Sequence, residues 1–254
     1  MNLGAVLFTN EKTCDLTSLT AKYFVKNFSN FPIQLTVVSN SLPDNLDKID
    51  GVNYFDAGVK YSSNGAHFKE CMLNFIEHCD HDYIFFFCDD YLVYSPIKEK
   101  ILKEILDCIE NFDISMMYLG SSMNLPKNTE SINFDNFSIL KIDQDYQHAL
   151  SVQPCIWNKM ILKKLLTQNN RVTLHDLDTN IISKEGLELK LYGVHKPPYT
   201  FHIDEKPPNS DYLVLDYFEF IRHGFILEAE VNSKKLLRKI IQDNNLEENL
   251  KKYT

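Results

Sequence analysis

The hexapeptide Tyr83–Cys88 is the feature of this sequence that most restricts the fold. It runs Tyr-Ile-Phe-Phe-Phe-Cys without a polar interruption and ends abruptly at Asp89 and Asp90. Six apolar residues in a row match the length of a strand, and apolarity at every position is typical of a strand that is covered on both faces. We therefore expect this segment at the centre of an α/β sheet, with the two acidic residues at its carboxyl end.

The rest of the first 120 residues alternates between strand and helix patterns. Short apolar runs predict strands at residues 5–8, 33–38, 52–55 and 114–119. Apolar residues at helical spacing predict helices at residues 16–28 and 64–79, and a third helix that begins at Ser95 and Pro96. Such alternation is typical of an α/β fold with a mixed, mostly parallel sheet and helices on both faces.

The pattern loosens after Gly120. We expect a polar loop over residues 121–136, followed by strands at 139–142, 149–152, 187–194 and 199–202 and helices at 157–166, 176–183, 216–224 and 233–252. A chain of 254 residues fits one large domain. We therefore expect a single domain over residues 1–254, whose halves 1–120 and 121–254 share one sheet.

Charge and composition exclude some classes of partner. The net charge is −9, whereas binding to nucleic acid needs a basic surface, so we expect no nucleic-acid partner. The six cysteines form no Cys-x-x-Cys pair and the N-terminus shows no secretory signal, which indicates reduced thiols in a cytoplasmic protein. No apolar stretch reaches the ~18–20 residues of a membrane span. The amphipathic residues 234–252 could contact a membrane peripherally, but their acidic residues favour packing on the domain instead.

Asp89 and Asp90 are the strongest candidates for chemistry. In open α/β sheets ligands bind at the carboxyl ends of the strands, and two adjacent carboxylates there are costly unless something neutralises them. Hard divalent cations such as Mn²⁺ or Mg²⁺ take carboxylate oxygens together with phosphate oxygens of a ligand. The pair therefore predicts a metal site, with a simple turn before Tyr91 as the alternative.

Three segments together resemble the GT-A-fold glycosyltransferases, in particular small bacterial and giant-virus enzymes. They are the apolar strand that ends in Asp89-Asp90-Tyr91, the segment Ser-Val-Gln-Pro-Cys-Ile-Trp at residues 151–157, and Ile-Arg-His-Gly at residues 221–224. The acidic pair is similar to a variant of the family's Asp-x-Asp metal motif, and Cys88 stands where the commoner form has its first Asp.

The resemblance implies a GT-A-like, Rossmann-like sheet and a nucleotide-diphosphate-sugar donor. The first half would bind the donor and the second half would shape the site of the acceptor, which is a hydroxyl on a glycan, lipid-linked or protein-linked molecule. Mn²⁺ or Mg²⁺ at Asp89 and Asp90 would bind the diphosphate. Thr9 and Asn10 would lie near the nucleotide base, with an ordinary turn into the first helix as an equal alternative.

Inverting transfer, which we expect here, needs a carboxylate that deprotonates the acceptor. Members of the family that resemble this chain carry an acidic segment about twenty residues after the Trp, which here contains Asp176 and Asp178. We expect one of the two, preferably Asp178, to be the base. The alternative is a helix N-terminus that is merely enriched in Asp.

Four further residues complete the predicted site. Trp157, the only tryptophan, is either a platform for a sugar face or a core residue, and we favour the core slightly. Gln153 suits sugar hydroxyls, Arg222 suits the diphosphate, and His202 suits a third metal position. Each of these three residues also has an interpretation outside the site. Gln153 could contact the backbone, Arg222 could interact with a helix dipole, and His202 could be an ordinary surface histidine.

Two other functions remain open at this stage. One is a module on the same fold that binds glycans or nucleotides without catalysis, which Cys88 makes conceivable. The other is a sugar nucleotidyltransferase, which would need a glycine-rich phosphate loop after the first strand. Residues 9–12 read Thr-Asn-Glu-Lys and contain no glycine, which counts against that reaction.

Overall fold

The structure is a computed structural model. It describes residues 1–11, 14–44, 46, 48–89, 91–92, 99–119, 130–135, 137–150, 154–195, 215–216 and 242–243. The strands are β1 (Leu3–Phe8), β2 (Leu35–Ser39), β3 (Asn53–Asp56), β4 (Tyr83–Cys88), β5 (Tyr91–Leu92), β6 (Met116–Tyr118), β7 (Ser131–Asn133), β8 (Ser138–Ile142), β9 (Cys155–Asn158), β10 (Leu191–His195) and β11 (Leu215–Asp216). The helices are α1 (Cys14–Asn27), α2 (His67–His78), α3 (Glu99–Phe112), α4 (Lys159–Gln168) and α5 (Leu174–Asp178).

Nine of the described strands form one large mixed sheet in the order β3-β2-β1-β4-β9-β6-β10-β8-β7, and β5 and β11 form a separate two-stranded sheet. The parallel pairs are β1 with β2, β1 with β4, β2 with β3, and β6 with β10. Strands β9 and β8 run antiparallel to both of their neighbours. All the other strands of the sheet therefore run in one direction, and the sheet joins strands from both halves of the chain.

The apolar run Tyr83–Cys88 is a strand with the predicted limits, and it lies between β1 and β9. Its side chains alternate between two buried clusters. Phe85 and Phe87 pack with α1 and α3, whereas Ile84 and Phe86 pack with α2, α4 and α5. Helices thus cover both faces of the sheet, which confirms the predicted fold class and explains why the strand has no polar position.

Several predicted elements of the second half are wrong. Residues 155–158 form strand β9 rather than leading into a helix at Trp157, and the helix begins only at Lys159. Residues 149 and 150 are not in a strand, although one was predicted over 149–152. Short segments of this kind fit a helix and a strand equally well. Residues 155–158 form a strand here because they pair with β4 on one side and with β6 on the other.

Three other boundaries also differ. The sequence predicts a loop over residues 121–136, but residues 131–133 form strand β7, which pairs with the next strand, β8. Helix α5 ends at Asp178 instead of continuing to residue 183, because Asn180 has a positive φ of 57°. Asp216 lies in strand β11, which pairs with β5, and not at the start of a helix. Residues 199–202 and most of 217–252 lie outside the described part of the chain.

Two further expectations concern thiols and membranes. No disulfide joins the described cysteines Cys71, Cys79, Cys88, Cys108 and Cys155. Burial raises the pKa of the Cys71 thiol to about 12 and that of Cys108 to about 11. Within the described residues, none of the helices has both the length and the apolarity that a membrane span requires.

Candidate functional site

Three polar residues follow the carboxyl ends of three adjacent parallel strands. Thr9 follows β1, Asn40 follows β2 and Asp89 follows β4. Their exposed fractions are only 2%, 0% and 8%. Strands that run in parallel end at the same side of a sheet, so these side chains share one edge, which we call the carboxyl edge. Buried polar groups in this position need partners, and the partners define the site.

Asp89 is held by hydroxyl groups. The Thr9 hydroxyl donates a hydrogen bond of 2.7 Å to Oδ2 of Asp89, and the Thr17 hydroxyl donates one of 2.9 Å to Oγ1 of Thr9. The Thr20 hydroxyl donates to the main-chain oxygen of Asp89 at 2.6 Å. Thr17 and Thr20 belong to α1 and are fully buried. A hydrogen bond from a hydroxyl to a carboxylate is stronger than one between neutral groups, so this bond holds the Asp89 side chain in place.

Asn40 ties the segments after β1, β2 and β3 together. Its Oδ1 accepts a bond from the main-chain N–H of Glu11 at 3.0 Å, and its Nδ2 donates to Oε2 of Glu11 at 3.0 Å and to the main-chain oxygen of Val59 at 3.2 Å. The main-chain N–H of Val59 in turn donates to the oxygen of Asn40. Asn10 is half-buried and lies between Thr9 and Glu11 in the sequence. Hydrogen bonds of Thr9 and Glu11 therefore restrain its backbone on both sides.

His67, the first residue of α2, packs beside the end of β1. Its ring stacks on Phe8 at 6.4 Å and lies 5.0 Å from the ring of Tyr61. Only 6% of the residue is exposed. Burial lowers the pKa of His67 below its ordinary value, and it outweighs the opposing contributions from Ser62 and Glu11. Burial thus favours the neutral form of this imidazole.

The two acidic candidates on α5 have different surroundings. Oδ2 of Asp176 accepts the main-chain N–H of Thr173 at 2.9 Å, and the Thr173 hydroxyl accepts the N–H of Asp176 at 3.0 Å. This is a capping box, and it gives Asp176 a structural task at the helix N-terminus. Asp178, the last residue of α5, is partly exposed and lies beside His148, with 3.7 Å between Oδ2 and Nδ1.

Helix α5 and the segment before it contact other elements of the fold. Nη2 of Arg171 donates to the oxygen of Asn64 at 3.2 Å, which ties the segment before α5 to the turn before α2. At the other end of α5, the negative charge of Asp178 adds to the effect of burial in raising the pKa of Cys155. Cys155 is the first residue of β9 and pairs with Phe86 near the end of β4. Asp178 therefore acts electrostatically on the first residue of β9, the strand that pairs with β4.

Trp157 lies in the core. It is 1% exposed, pairs with Ile84 and Met116 in the sheet, and belongs to the cluster that packs against α2 and α4. The structure thus gives it the packing role that the sequence analysis favoured slightly. A side chain with this exposure has no face to offer a sugar.

The remaining predicted residues, Asp90, Gln153, His202 and Arg222, lie outside the described residues. In the described part of the chain no group of three or more His, Cys, Asp or Glu residues could hold a metal ion. Of the predicted metal ligands, Asp89 is the one that lies among the described residues.

Sequence reasoning missed Thr17, Thr20, Asn40, His67 and His148. A signal existed for the first two, because threonines three residues apart lie on the same face of a helix. That face also carries the buried residues Ala21 and Phe24 and points toward the sheet. Hydroxyls on the inward face of a helix need a polar partner, and the end of an adjacent strand is the nearest source.

No known protein-family model matches the chain, and no curated protein sequence matches it. Similar solved structures include TarS 1-349 of S. aureus in complex with UDP-GlcNAc, at 12% identity and a TM-score of 0.45, over 77% of this chain and 59% of that one. The mannosyltransferase PcManGT of Pyrobaculum calidifontis in complex with GDP-Man and Mn²⁺ is 8% identical, with a TM-score of 0.45, over 77% of this chain and 55% of that one.

A UDP-glucose pyrophosphorylase complexed with UDP-glucose is 10% identical, with a TM-score of 0.45, over 77% of this chain and 90% of that one. The chain thus spans less than two thirds of the length of the first two structures. All three TM-scores lie below 0.5, which is too slight a similarity to decide a function.

Proposed function

We propose that this chain is a glycosyltransferase that moves a sugar from a nucleotide-diphosphate-sugar to an acceptor hydroxyl. The observation that carries the proposal is the buried carboxylate of Asp89, which hydroxyl groups hold at the carboxyl end of the central strand β4. Nucleotide ligands of open α/β sheets bind at this end of the strands. A carboxylate kept there at the cost of burial indicates a cationic ligand.

A divalent metal fits the donor chemistry of this position. Asp89 offers hard carboxylate oxygen, and Asp90 adds a second carboxylate next to it in the sequence. Asp89 and Asp90 would hold Mn²⁺ or Mg²⁺, with His202 as the candidate for a further position. The remaining ligands would be water and phosphate oxygens, as is common for such ions. When bound, the metal supplies positive charge that stabilises the departing nucleoside diphosphate.

Asp178 is the candidate base. Its side chain is 31% exposed, so an acceptor can approach it, and His148 lies beside it. In the inverting reaction the acceptor oxygen bonds to the anomeric carbon while the bond from that carbon to the diphosphate oxygen breaks. The proton of the acceptor hydroxyl passes to the carboxylate of Asp178, and the nucleoside diphosphate leaves with the bonding electrons. Asp176 is the weaker candidate, because the capping box occupies its carboxylate.

Within the same proposal, Asn10 is the candidate for contact with the nucleotide base and Arg222 for contact with the diphosphate. Gln153 is the candidate for sugar hydroxyls. Asn10 has an amide group, and the hydrogen bonds between Asn40 and the next residue, Glu11, hold its backbone beside the end of β1. An amide that is held in place can read the edge of a base through directional hydrogen bonds.

The test is a thermal-unfolding screen with UDP-, GDP-, CMP- and dTDP-sugars, each with Mn²⁺ and with EDTA. A ligand that binds only the folded protein raises its melting temperature. At a 100-fold excess over Kd we expect a rise of about 5–10 °C for a chain of this size, seen only with Mn²⁺. Asp89→Asn removes the charge but keeps the shape, and it should abolish the rise.

Asp145→Asn is the matched control, because Asp145 is an exposed carboxylate in a turn. It should respond to the donor as the wild type does. The proposal fails if no nucleotide-sugar raises the melting temperature, or if Asp89→Asn responds in full. Release of pyrophosphate from a nucleoside triphosphate and a sugar phosphate would instead identify a nucleotidyltransferase.

A further inference from the structure

Helix α1 reaches the candidate metal site through three threonine hydroxyls. Thr17 and Thr20 are on the helix, and Thr9 lies between Thr17 and the carboxylate of Asp89. All three threonines are at most 2% exposed. A threonine inside a helix ordinarily bonds to the carbonyl oxygen of the preceding turn. The hydroxyls of Thr17 and Thr20 are instead turned toward residues outside the helix.

The direction of these bonds restricts what Thr9 can do. A hydroxyl group has one proton, and that of Thr9 is donated to Oδ2 of Asp89. Its oxygen meanwhile accepts the proton of Thr17. The Thr9 hydroxyl is thus engaged both as a donor and as an acceptor in holding the carboxylate. This differs from the contact with a nucleotide base that the sequence suggested for Thr9.

The second contact fixes the main chain of the same residue. The Thr20 hydroxyl donates to the carbonyl oxygen of Asp89. One helix therefore fixes both the backbone and the side chain of Asp89, and it does so from buried positions that exclude water. Residues that hold a metal ligand in this way keep it in its binding orientation and affect metal affinity without touching the metal.

We propose that Thr17, Thr9 and Thr20 are positioning residues, which preorganise the Asp89 carboxylate for a divalent cation and its diphosphate. The inference rests on the proposed function and deepens it, because it assigns a role to α1 that the acidic motif alone does not contain. It also reassigns Thr9 from recognition of the base to support of Asp89. Base selectivity then depends on other residues of the carboxyl edge.

Thr17→Val tests the inference because valine has nearly the shape of threonine and lacks the hydroxyl. The direct bond from Thr9 to Asp89 can persist in this variant, but Thr9 loses its anchor. We expect Mn²⁺-dependent binding of UDP or GDP, measured by calorimetry, to weaken about 10-fold or more, as for other residues that support metal ligands. Binding of Mn²⁺ alone, measured by electron paramagnetic resonance, should weaken in the same variant. Thr17→Ser keeps the hydroxyl and should restore both affinities.

Ser115→Ala is the matched control. Ser115 is also a buried hydroxyl residue, and its Oγ accepts the main-chain N–H of Lys190 at 3.1 Å. It precedes β6 and so lies at the opposite edge of the sheet. Its loss should lower the stability against urea and leave the affinity for Mn²⁺ unchanged. If Thr17→Val does not fold, Thr20→Val is used in its place with the same expected weakening.

The outcomes separate the inference from the proposed function. If the wild type binds none of the nucleotides UDP, GDP, CMP and dTDP with Mn²⁺, both fail together. If the wild type binds and Thr17→Val and Thr20→Val bind equally well, the inference alone fails. A changed ratio of UDP to GDP affinity in Thr9→Ser would also overturn it, because that result would return Thr9 to recognition of the base.

Discussion

At the scale of single residues, His67 shows what burial does to a titratable group. The ring is enclosed by Phe8 and Tyr61, and desolvation lowers the pKa of the imidazole because burial disfavours the cation. In the unfolded chain the same group takes up a proton near its ordinary pKa of 6.5. Below that pH the unfolded state therefore binds more protons than the folded state, and acid weakens the fold.

We predict that the free energy of unfolding falls as the pH is lowered from about 6.5 toward the folded-state pKa of His67. The loss contributed by one histidine is at most ~1.4 kcal/mol per pH unit. His67→Phe keeps the ring contacts and cannot titrate, so its stability should fall less over this range. Urea unfolding at pH 8, 6.5 and 5.5 measures both proteins. Equal acid sensitivity in the two would contradict the prediction.

The neighbouring carboxylates of α5 give a second prediction at this scale. Asp178→Asn should retain binding of a nucleotide-sugar and lose at least ~100-fold in turnover, the usual order for a removed general base. Asp176→Asn weakens the capping box instead, and should lower stability by about 1 kcal/mol while turnover persists. Initial rates and thermal unfolding of both variants check this. Loss of turnover in Asp176→Asn alone would assign the base to Asp176.

At the scale of elements, strand β1 depends on a glycine that packs against a histidine. Gly4 pairs with Ile84 of β4, and a Cβ atom at this position would overlap the ring of His81. The ring is itself held, since its Nδ1 lies 2.9 Å from Oδ1 of Asn2. With the His81 ring in this position, the close approach of β1 to the segment before β4 leaves no room for a side chain at residue 4.

We predict that Gly4→Ala lowers the free energy of unfolding by about 1–3 kcal/mol, the usual cost of overpacking. The double variant Gly4→Ala/His81→Ala removes the obstructing ring, and it should be no less stable than His81→Ala alone. Urea unfolding of the three variants measures this coupling. An additive loss in the double variant would show that the ring is not the cause.

At the scale of the whole molecule, the large sheet links the two halves of the chain. Strand β9 from the second half lies between β4 and β6 from the first half and pairs with both. The side chain of Trp157 is buried in this strand. Because it is the only tryptophan, its fluorescence reports on the place where the halves meet.

The shared sheet predicts cooperative unfolding of the described core. Tryptophan fluorescence and far-UV circular dichroism should give coincident urea transitions, as expected for one cooperative unit. Phe86→Ala should lower the free energy of unfolding by about 3–5 kcal/mol and shift both signals together, since Phe86 is 2% exposed. Two separate transitions would contradict the expectation of a single domain.

Local sequence features predicted the elements whose identity needs no distant partner. Tyr83–Cys88 is a strand because six apolar residues fit only a position that is covered on both faces, and helix α3 follows a clear apolar stripe. The same features identified Asp89 as a polar residue at the end of a buried strand. The four residues of β9 gave no such signal, because a short apolar segment fits a helix or a strand equally well.

The sequence by itself determined an α/β sheet with a buried central strand that ends in acidic residues, because apolar runs and periodicity act over neighbouring residues. Only the tertiary structure decided that β9 runs antiparallel between β4 and β6, and that Trp157 is enclosed. It also decided that hydroxyls from α1 hold Asp89. These contacts join residues up to 80 positions apart, and whether they form depends on how helices and strands pack rather than on any local pattern.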